Sequence, residues 1–520
     1  VPALEPRAIA YYRLKATHPE YDLEYWQELR ALYEGGKALL RNPKVLDRLF
    51  PRHGGETEKV YQERKRRAFY VSHLSTVIDH VVAGLSADPI ELALGDAAPS
   101  SFYRDLFADC SPPRGRERSV HELVLEQLRS ALLCGFTWTL VDLPTMPPDW
   151  SPQSEAEQEA AGALNAYAAP LRPEAVLDWD ADADGEVYWT MVCSKSCRRP
   201  TPYEKRDKVR EEYTAYDAEG WTRWVVEYEK GKPPNEDAMI SPESRGRHSF
   251  GRTPIIRLEL PAGLWAGNKL HSLAVEYLNK SCGLSWAEYK ALYSQLYEFL
   301  APALGGIDTP VSEHQSNPGR AQTSARGPGW VQVRGHEDSA MYVGPDTGAF
   351  AHAGDSLKRL AEDIFRVMYQ MALAEDNSGA VIRRSEGSKQ LDHEATEVIL
   401  RALGREGRRH AAATVNTIAI GRRDPDGWVA SGMDDFHGVD LGAEIDRAMG
   451  LETVPIPSAT YQRARKLRLA LADLGDEATD EIREAIRREL EEAITQDSLA
   501  GPMVELGTPS EPPDETPEDS

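Results

Sequence analysis

The segment "GDSLKRLAEDIFRVMYQMALAE", Gly354 to Glu375, constrains the fold most, because Leu357, Leu360, Ile364, Val367 and Met371 step by three, four, three and four residues. That spacing is the heptad-like seam of a long helix packed along its length on another helix. A second long helical pattern precedes it, "NKLHSLAVEYLNKSCGLSWAEYKALYSQLYEFLAPAL", with Trp286, Tyr289, Tyr293 and Tyr297 forming a stripe at spacings of three and four. Such a stripe reads as packed core rather than as a surface for stacking bases or cofactors. Pro302, Gly305 and Gly306 punctuate its end, and the turn-rich residues 305–350 hold one short strand, "GWVQVRG". Two long helices separated by a small, loop-rich unit predict a hairpin with that unit at its tip.

The remaining pattern is mixed, and 520 residues exceed one ordinary core. "YWQELRALYEGGKALL" and "EKVYQERKRRAFYVSHLSTVIDHVVAGL" each read as a helix, the second stopped at Gly84. A third helix, "VHELVLEQLRSALLCG", ends at Gly135 and feeds the strand "FTWTLVDLP". Residues 145–170 read as an insertion or linker rich in Pro, Glu, Ala and Ser. Strands follow in "AVLDWDADADGEVYWTMVC", "REEYTAYDAEGWTRWVVEYEKG" and "GRTPIIRLEL", with "DAEGW" as a hairpin signal and "DADADG" as an acidic turn lacking the glutamate of a calcium loop. A helix from about Lys389 to Ile420 contains Gly404 and Gly407, each disfavoured by roughly 1 kcal/mol in a helix interior, which predicts a bend. Two charged helical patterns lie near the C-terminus, and the last twenty residues, with no basic residue, read as disordered. The fold class is α+β.

A formal charge of -24 at a pI of about 5.1 repels phosphate backbones over most of the surface, so nucleic-acid contact is restricted to local basic patches. The five cysteines are odd in number and widely spread, which fits a reducing compartment, and "CSKSC" reads as two strand cysteines rather than a zinc site. No run approaches about 18 apolar residues and the first residues lack a signal-peptide core, so a soluble chain without membrane contact is expected.

The stretch "AEDNSGAVIRRSEGSKQLDHEATEVIL" resembles a phosphate loop but fails as one. Gly379 and Gly387 are eight apart, Ser388 and Lys389 stand in the wrong order, and a helix rather than a strand precedes. The chain has no H-E-x-x-H, G-x-S-x-G or kinase signature, and His393, His410 and His437 are scattered, reading as surface or capping residues. No catalytic residue, metal ligand or cofactor is expected. Arg383 and Arg384 lie just upstream of a helix whose first turn carries Lys389, a placement that an external anion would offset; pairing to Glu386 and Asp392 in a solvated loop is the other reading.

At this point several motifs and their order resemble the portal proteins of tailed bacteriophages, within them a phage-portal-like branch. The motifs are "HPEY", Trp26, "LFPRHGGETEKVYQERKRRAFY", "AGLSADP", "LVLEQLRSALLCGFTWTLVDLP", "RPEAVLDW" and "HSFGRTPIIRLEL", and the likeness runs from about residue 18 to about 495. It implies a portal-type architecture: an α/β wing over 1–267, a first stem helix over 268–300, a clip over 301–350, a second stem helix over 351–373 and a tunnel loop over 374–388. Residues 389–454 would form a kinked channel helix and the rest of the wing, 455–500 the crown, and 501–520 the acidic tail.

The resemblance further implies a non-enzymatic ring of about twelve subunits at one capsid vertex of a virion, assembled in the host cytoplasm. Double-stranded DNA would pass through it without sequence readout during packaging and ejection. The implied partners are the major capsid protein and scaffold, the large terminase and a head-tail adaptor. Arg383, Arg384, Lys389, Asn377, Ser385 and Ser388 become candidates for DNA contact in the tunnel, and the heptad and aromatic stripes candidates for subunit packing in the stem. An acidic wall lets DNA slide, because each cation that neutralises a phosphate adds a counterion-release contribution that would hold the duplex. The rival readings are a cytosolic multidomain enzyme with a carboxylate site, and another ring-forming virion component.

Overall fold

The computed structural model describes residues 7–95, 98–113, 115–144, 146, 154–182, 185–198, 207–292, 295–299, 339–343, 347–375, 388–434, 436, 485, 486 and 488. The chain divides into two units, Val1–Phe436 and His437–Ser520. Of the second, only Ala485, Ile486 and Arg488 are described, and all three are helical.

Six principal helices organise the first unit: α1 Leu23–Glu34, α2 His73–Leu85, α3 Val120–Cys134, α4 Ala266–Leu292, α5 Thr347–Glu375 and α6 Ser388–Arg422. Ser119 starts α3 with a reciprocal capping box, its hydroxyl accepting from the Glu122 N–H while the Glu122 carboxylate accepts from the Ser119 N–H. Gly135, at φ +93°, ends it and leaves room for the Trp265 ring, 3.1 Å from where a Cβ would stand. The chain then enters strand β1, Phe136–Asp142, as the pattern predicts.

Strand β1 is the centre of a three-stranded antiparallel sheet between β2, Tyr167–Leu171, and a strand that returns late in the unit, Ile255–Glu259. Between them lies a five-stranded antiparallel meander: β3 Val176–Ala181, β4 Val187–Arg198, β5 Lys208–Tyr216, β6 Gly220–Glu229 and β7 Ser244–Arg247, in that spatial order. The Ile255–Glu259 strand is β8. Hydrophobic side chains of α1 to α6, β1 and β8 merge into one core around Trp26, Trp138, Leu128, Leu270, Ile364 and Val415, whereas Tyr11, Leu14, Met191, Tyr213 and Val226 form a small separate core under the meander.

Three helix expectations change. Gly35 and Gly36, both at positive φ, divide the first predicted helix into Leu23–Glu34 and Gly36–Leu40. The second divides into Glu58–Arg66 and α2, because Ser72 caps α2 through the Ser75 N–H; Gly84 lies inside α2, against Leu400, and does not end it. The first long helix of the hairpin ends at Leu292 rather than near residue 300, and Gln295–Phe299 is strand β9, paired antiparallel with β10, Ser339–Val343. Tyr297 is therefore a strand residue opposite Met341. Aromatic residues suit a strand as well as a helix, and the run Leu296 to Phe299 satisfies both periods.

Candidate functional site

The motifs singled out in the sequence meet in space. His18 of "HPEY" stacks on Trp179 of "RPEAVLDW" with ring centroids 3.9 Å apart, and Tyr21 donates to the Glu174 carbonyl at 3.0 Å. Glu174 in turn takes two hydrogen bonds from Arg30, at 2.6 and 3.0 Å, a bidentate pairing that fixes direction as well as distance. Arg257 lies over the rings of Phe136, Trp138 and Trp179 at 4.6 to 5.6 Å and bonds Glu20 at 2.9 Å. In the "LFPRHGGETEKVYQERKRRAFY" stretch, buried Arg64 grips Glu56 with two bonds, at 2.9 and 3.0 Å, and covers the Phe50 ring at 4.1 Å. These residues are anchors that hold the unit around α3 and β1.

The same unit holds α6, the helix that follows residues 376–387, at several points. Gln127 of α3 donates through Nε2 to the Trp138 carbonyl at 2.7 Å, which sets its amide orientation. Its second Nε2 hydrogen goes to Thr139 Oγ1 at 2.7 Å, and its Oε1 accepts from the Thr137 hydroxyl at 2.7 Å. Thr139 then gives its own hydrogen to His410 Nε2 on α6, 2.8 Å away. With Nε2 accepting from Thr139, the imidazole proton is placed on Nδ1, an assignment from the hydrogen-bond network, and Nδ1 has no partner among the described residues. His410 is 3 % exposed, so burial pulls its pKa down to about 4 and keeps it neutral. The surface or capping role read for it is thus corrected: the two residues before it, Arg408 and Arg409, are arginines, but its own side chain is buried.

Further along α6, Asn416 accepts from the Gly427 and Trp428 N–H groups at 2.7 and 2.8 Å and donates to the Trp428 carbonyl. Arg422, in the last turn where the helix dipole favours a cation, pairs with Asp424 at 2.8 Å and Glu159 at 3.2 Å and covers the Phe102 ring. Gly404 and Gly407 lie within a single continuous helix. A Cβ on Gly404 would stand 2.0 Å from the Met433 carbonyl oxygen, and one on Gly407 would meet Val124, Leu128 and the Met433 sulfur at 3.1 to 3.2 Å. Close backbone approach is what these glycines permit.

Under the meander, buried Glu211 collects four donors: Lys195 Nζ and Tyr228 Oη at 2.6 Å, Tyr213 Oη at 2.7 Å and Tyr11 Oη at 2.8 Å. Burial alone would raise its carboxyl pKa, but the four donors outweigh it and hold the group at about 2. Nothing in "REEY" marks this role, since alternating charge in a strand ordinarily faces water. Burial pushes the Cys110 and Cys134 thiols up to about 12 and the Cys193 thiol to about 11, so none of these is a thiolate nucleophile at neutral pH.

Of the stem candidates, Leu360, Ile364 and Val367 are buried within the chain itself and Leu357 is half-buried. Within the chain α5 packs on α4, α2 and α6, and among its described side chains the aromatic Phe365 is exposed. Met371 lies on α5, with its side chain outside the described residues. Trp286 and Tyr289 stack on α4 with centroids 5.9 Å apart, and Arg67 covers the Tyr289 ring at 3.5 Å. Tyr293, Asn377, Arg383, Arg384 and Ser385 lie outside the described residues, as does the strand expected at "GWVQVRG". Ser388 and Lys389 open α6.

Among the described residues, no helix is long and apolar enough to cross a membrane, and no three His, Cys, Asp or Glu side chains are grouped as metal ligands. No family model matches the chain, and no curated protein does. Solved structures with similarity include the neck of an empty GTA particle computed with C6 symmetry, at 13 % identity and TM-score 0.38 over 79 % of this chain and 93 % of that one. The virion of a native gene transfer agent particle aligns at 12 % identity and TM-score 0.38 over 85 % and 98 %. An HK97-family phage portal protein from Corynebacterium diphtheriae aligns at 10 % identity and TM-score 0.29 over 74 % and 95 %. At these scores the likenesses carry no argument of their own.

Proposed function

We propose that this chain is the subunit of a portal-type ring, a non-enzymatic DNA conduit of about twelve copies at a capsid vertex. The observation that carries the reading is the connection of α4 to α5. Two long helices pack on each other and are joined through the antiparallel strands β9 and β10, with residues 300–338 between those strands. Such a connection supports a stem of two helices, 266–292 and 347–375, with a clip between them, as the resemblance implies. α6 begins at Ser388 and is clamped at His410, Asn416 and Arg422.

In this reading Arg383, Arg384 and Lys389, with Asn377, Ser385 and Ser388, make brief phosphate contacts inside an otherwise acidic channel. Terminase, adaptor, capsid protein and scaffold are the partners it implies. Imaging single particles of the purified chain tests the central claim: rings with a channel wide enough for a duplex are expected, and a stable monomer under assembly conditions sinks it. Arg383→Glu with Arg384→Glu should leave rings intact while changing the length or retention of packaged DNA; unchanged packaging removes these arginines from the DNA path.

A further inference from the structure

The segment that opens the first unit, strand Ile9–Ala10 followed by helix Tyr11–Leu14, lies across the five-stranded meander rather than along it. It starts beside the connection between β6 and β7. There Ile9 and Ala10 pair with Ile240 and Met239, and the Tyr11 and Tyr12 N–H groups donate to the Ala238 and Glu236 carbonyls at 3.0 and 3.3 Å. It ends on β3, at the far edge of the sheet, where the His18 N–H donates to the Leu177 carbonyl at 2.9 Å. Between these ends Tyr11 and Leu14 cover Val226 of β6, Tyr213 of β5 and Met191 of β4, with Cys193 packed beside them. Strand alternation puts those side chains on one face, since Cys193 stands opposite Tyr213 and Glu211 opposite Val226.

Little holds this segment down. Its helix is a single turn without a side-chain cap, its strand is two residues long, and Tyr12 is 50 % exposed. A lone turn is not stable by itself, and the small core beneath it is separate from the main one. What it covers, by contrast, holds without it. The β3 to β7 ladders are complete among themselves, and Glu211 loses only Tyr11 when the segment leaves, keeping Lys195, Tyr213 and Tyr228 as donors from β4, β5 and β6. Lifting the segment therefore bares apolar surface but strands no buried charge, the change that would make such an opening prohibitive.

We propose that residues 9–17 form a releasable strap, which lifts from the meander as one unit while the sheet beneath stays folded. Closed, the strap ties the β6–β7 connection to β3 across the intervening strands. Lifted, it frees both and uncovers the Met191, Tyr213 and Val226 face. Ordering and release of a short segment over an intact scaffold is one of the recurring forms of conformational switch, and weakly held segments are where it occurs. The inference does not depend on the ring reading above.

Native-state amide exchange of the full chain, corrected for intrinsic rates and read in rising urea below the unfolding transition, tests it. The Tyr11 and Tyr12 amides should exchange about 100-fold or more faster than the Tyr213 amide in the central strand, and with a shallower urea dependence, because lifting the strap exposes little surface. Cys193 gives a second readout once Cys197→Ser has removed the exposed thiol. Its reaction with a disulfide reagent such as DTNB should follow the strap amides rather than Tyr213. Tyr11→Phe deletes the donor that the segment gives to Glu211, and should speed both the Tyr12 exchange and the Cys193 reaction about tenfold. Tyr11 and Tyr12 amides that open with the same constant and urea slope as Tyr213, or a Cys193 reaction unchanged by Tyr11→Phe, overturn the strap.

Discussion

Two buried polar centres hold this molecule together by opposite means. Around Glu211 a single charge is enclosed by four donors from β4, β5, β6 and the Tyr11–Leu14 helix, with half-exposed Lys195 supplying the counter-charge. Around His410 there is no charge at all: Thr137, Gln127, Thr139 and the neutral imidazole pass hydrogens in a fixed direction from β1 through α3 to α6. The contrast suits their places. A neutral chain of hydrogen bonds between β1, α3 and α6 avoids the desolvation cost that a buried charge carries at low dielectric. The meander centre is free to use a charge, and gains the stronger, charge-assisted bonds.

Removing the charge is the largest blow to this pairing. Glu211→Ala leaves Lys195 and three tyrosine hydroxyls without their acceptor, and should cost about 3–5 kcal/mol in urea unfolding, with the Tyr11–Leu14 segment exchanging its amides first. A loss of about 1 kcal/mol or less would show the carboxylate to be a surface pair in effect. Glu211→Gln, which keeps shape and one acceptor, should fall between.

Acid separates the two centres next. The folded His410 resists protonation until about pH 4 while the unfolded residue takes a proton below its ordinary 6.5, so stability falls as pH drops from about 6.5 to about 4. Glu211 acts lower: its contribution is complete above the ordinary 4.5 and is lost as pH falls toward about 2. Each window is worth about 3 kcal/mol, from roughly 1.4 kcal/mol per pKa unit. His73, His121 and His248 are depressed as well by burial, so His410→Leu removes only part of the upper slope. The gap between wild type and His410→Leu, measured by urea unfolding at pH 7, 5.5 and 4, should narrow as pH falls. A constant gap would mean that His410 is protonated or exposed in the folded chain.

Neither centre was legible in the sequence, and the reason is range. Gln127 and Thr139 are twelve residues apart, but His410 joins them across 271, and Tyr11 reaches Glu211 across 200. Local pattern found what local forces decide: α3, the Gly135 stop, β1 and the meander. It overran where one run satisfies two periods, as at Tyr297, and it could not see which other segment lies against a glycine. Gly404 was expected to bend α6; what surrounds it is the Met433 carbonyl, supplied by a turn 29 positions away in the numbering. The long-helix hairpin was legible in outline because its seam is periodic, yet the partner of that seam was not, since Ile364 fits α2 and α4 of its own chain as well as a neighbour's helix.

Gly404→Ala sharpens the comparison at its neutral side. Alanine gains roughly 1 kcal/mol of helix propensity, but its methyl would stand 2.0 Å from a backbone oxygen, so α6 or the Met433 turn must move, at about 1–3 kcal/mol net. Gly407→Ala meets only side-chain atoms at 3.1 to 3.2 Å and should cost less. Gly404→Ala should also flatten part of the upper acid window by loosening the His410 wall. Equal, stabilising effects from both alanines would show that close approach does not matter here.

The smallest effect isolates helix stability from the hydrogen-bond chain. Ser119→Ala removes the cap of α3, two turns before Gln127, and should cost about 1 kcal/mol, the usual value of a lost serine cap. The loss should be the same at pH 7 and pH 4, because neither Ser119 nor Glu122 touches the His410 chain. Should the penalty instead shrink with acid alongside the His410 contribution, α3 and α6 share one cooperative unit whose weak point is the imidazole, and the two centres differ in range of influence as well as in charge.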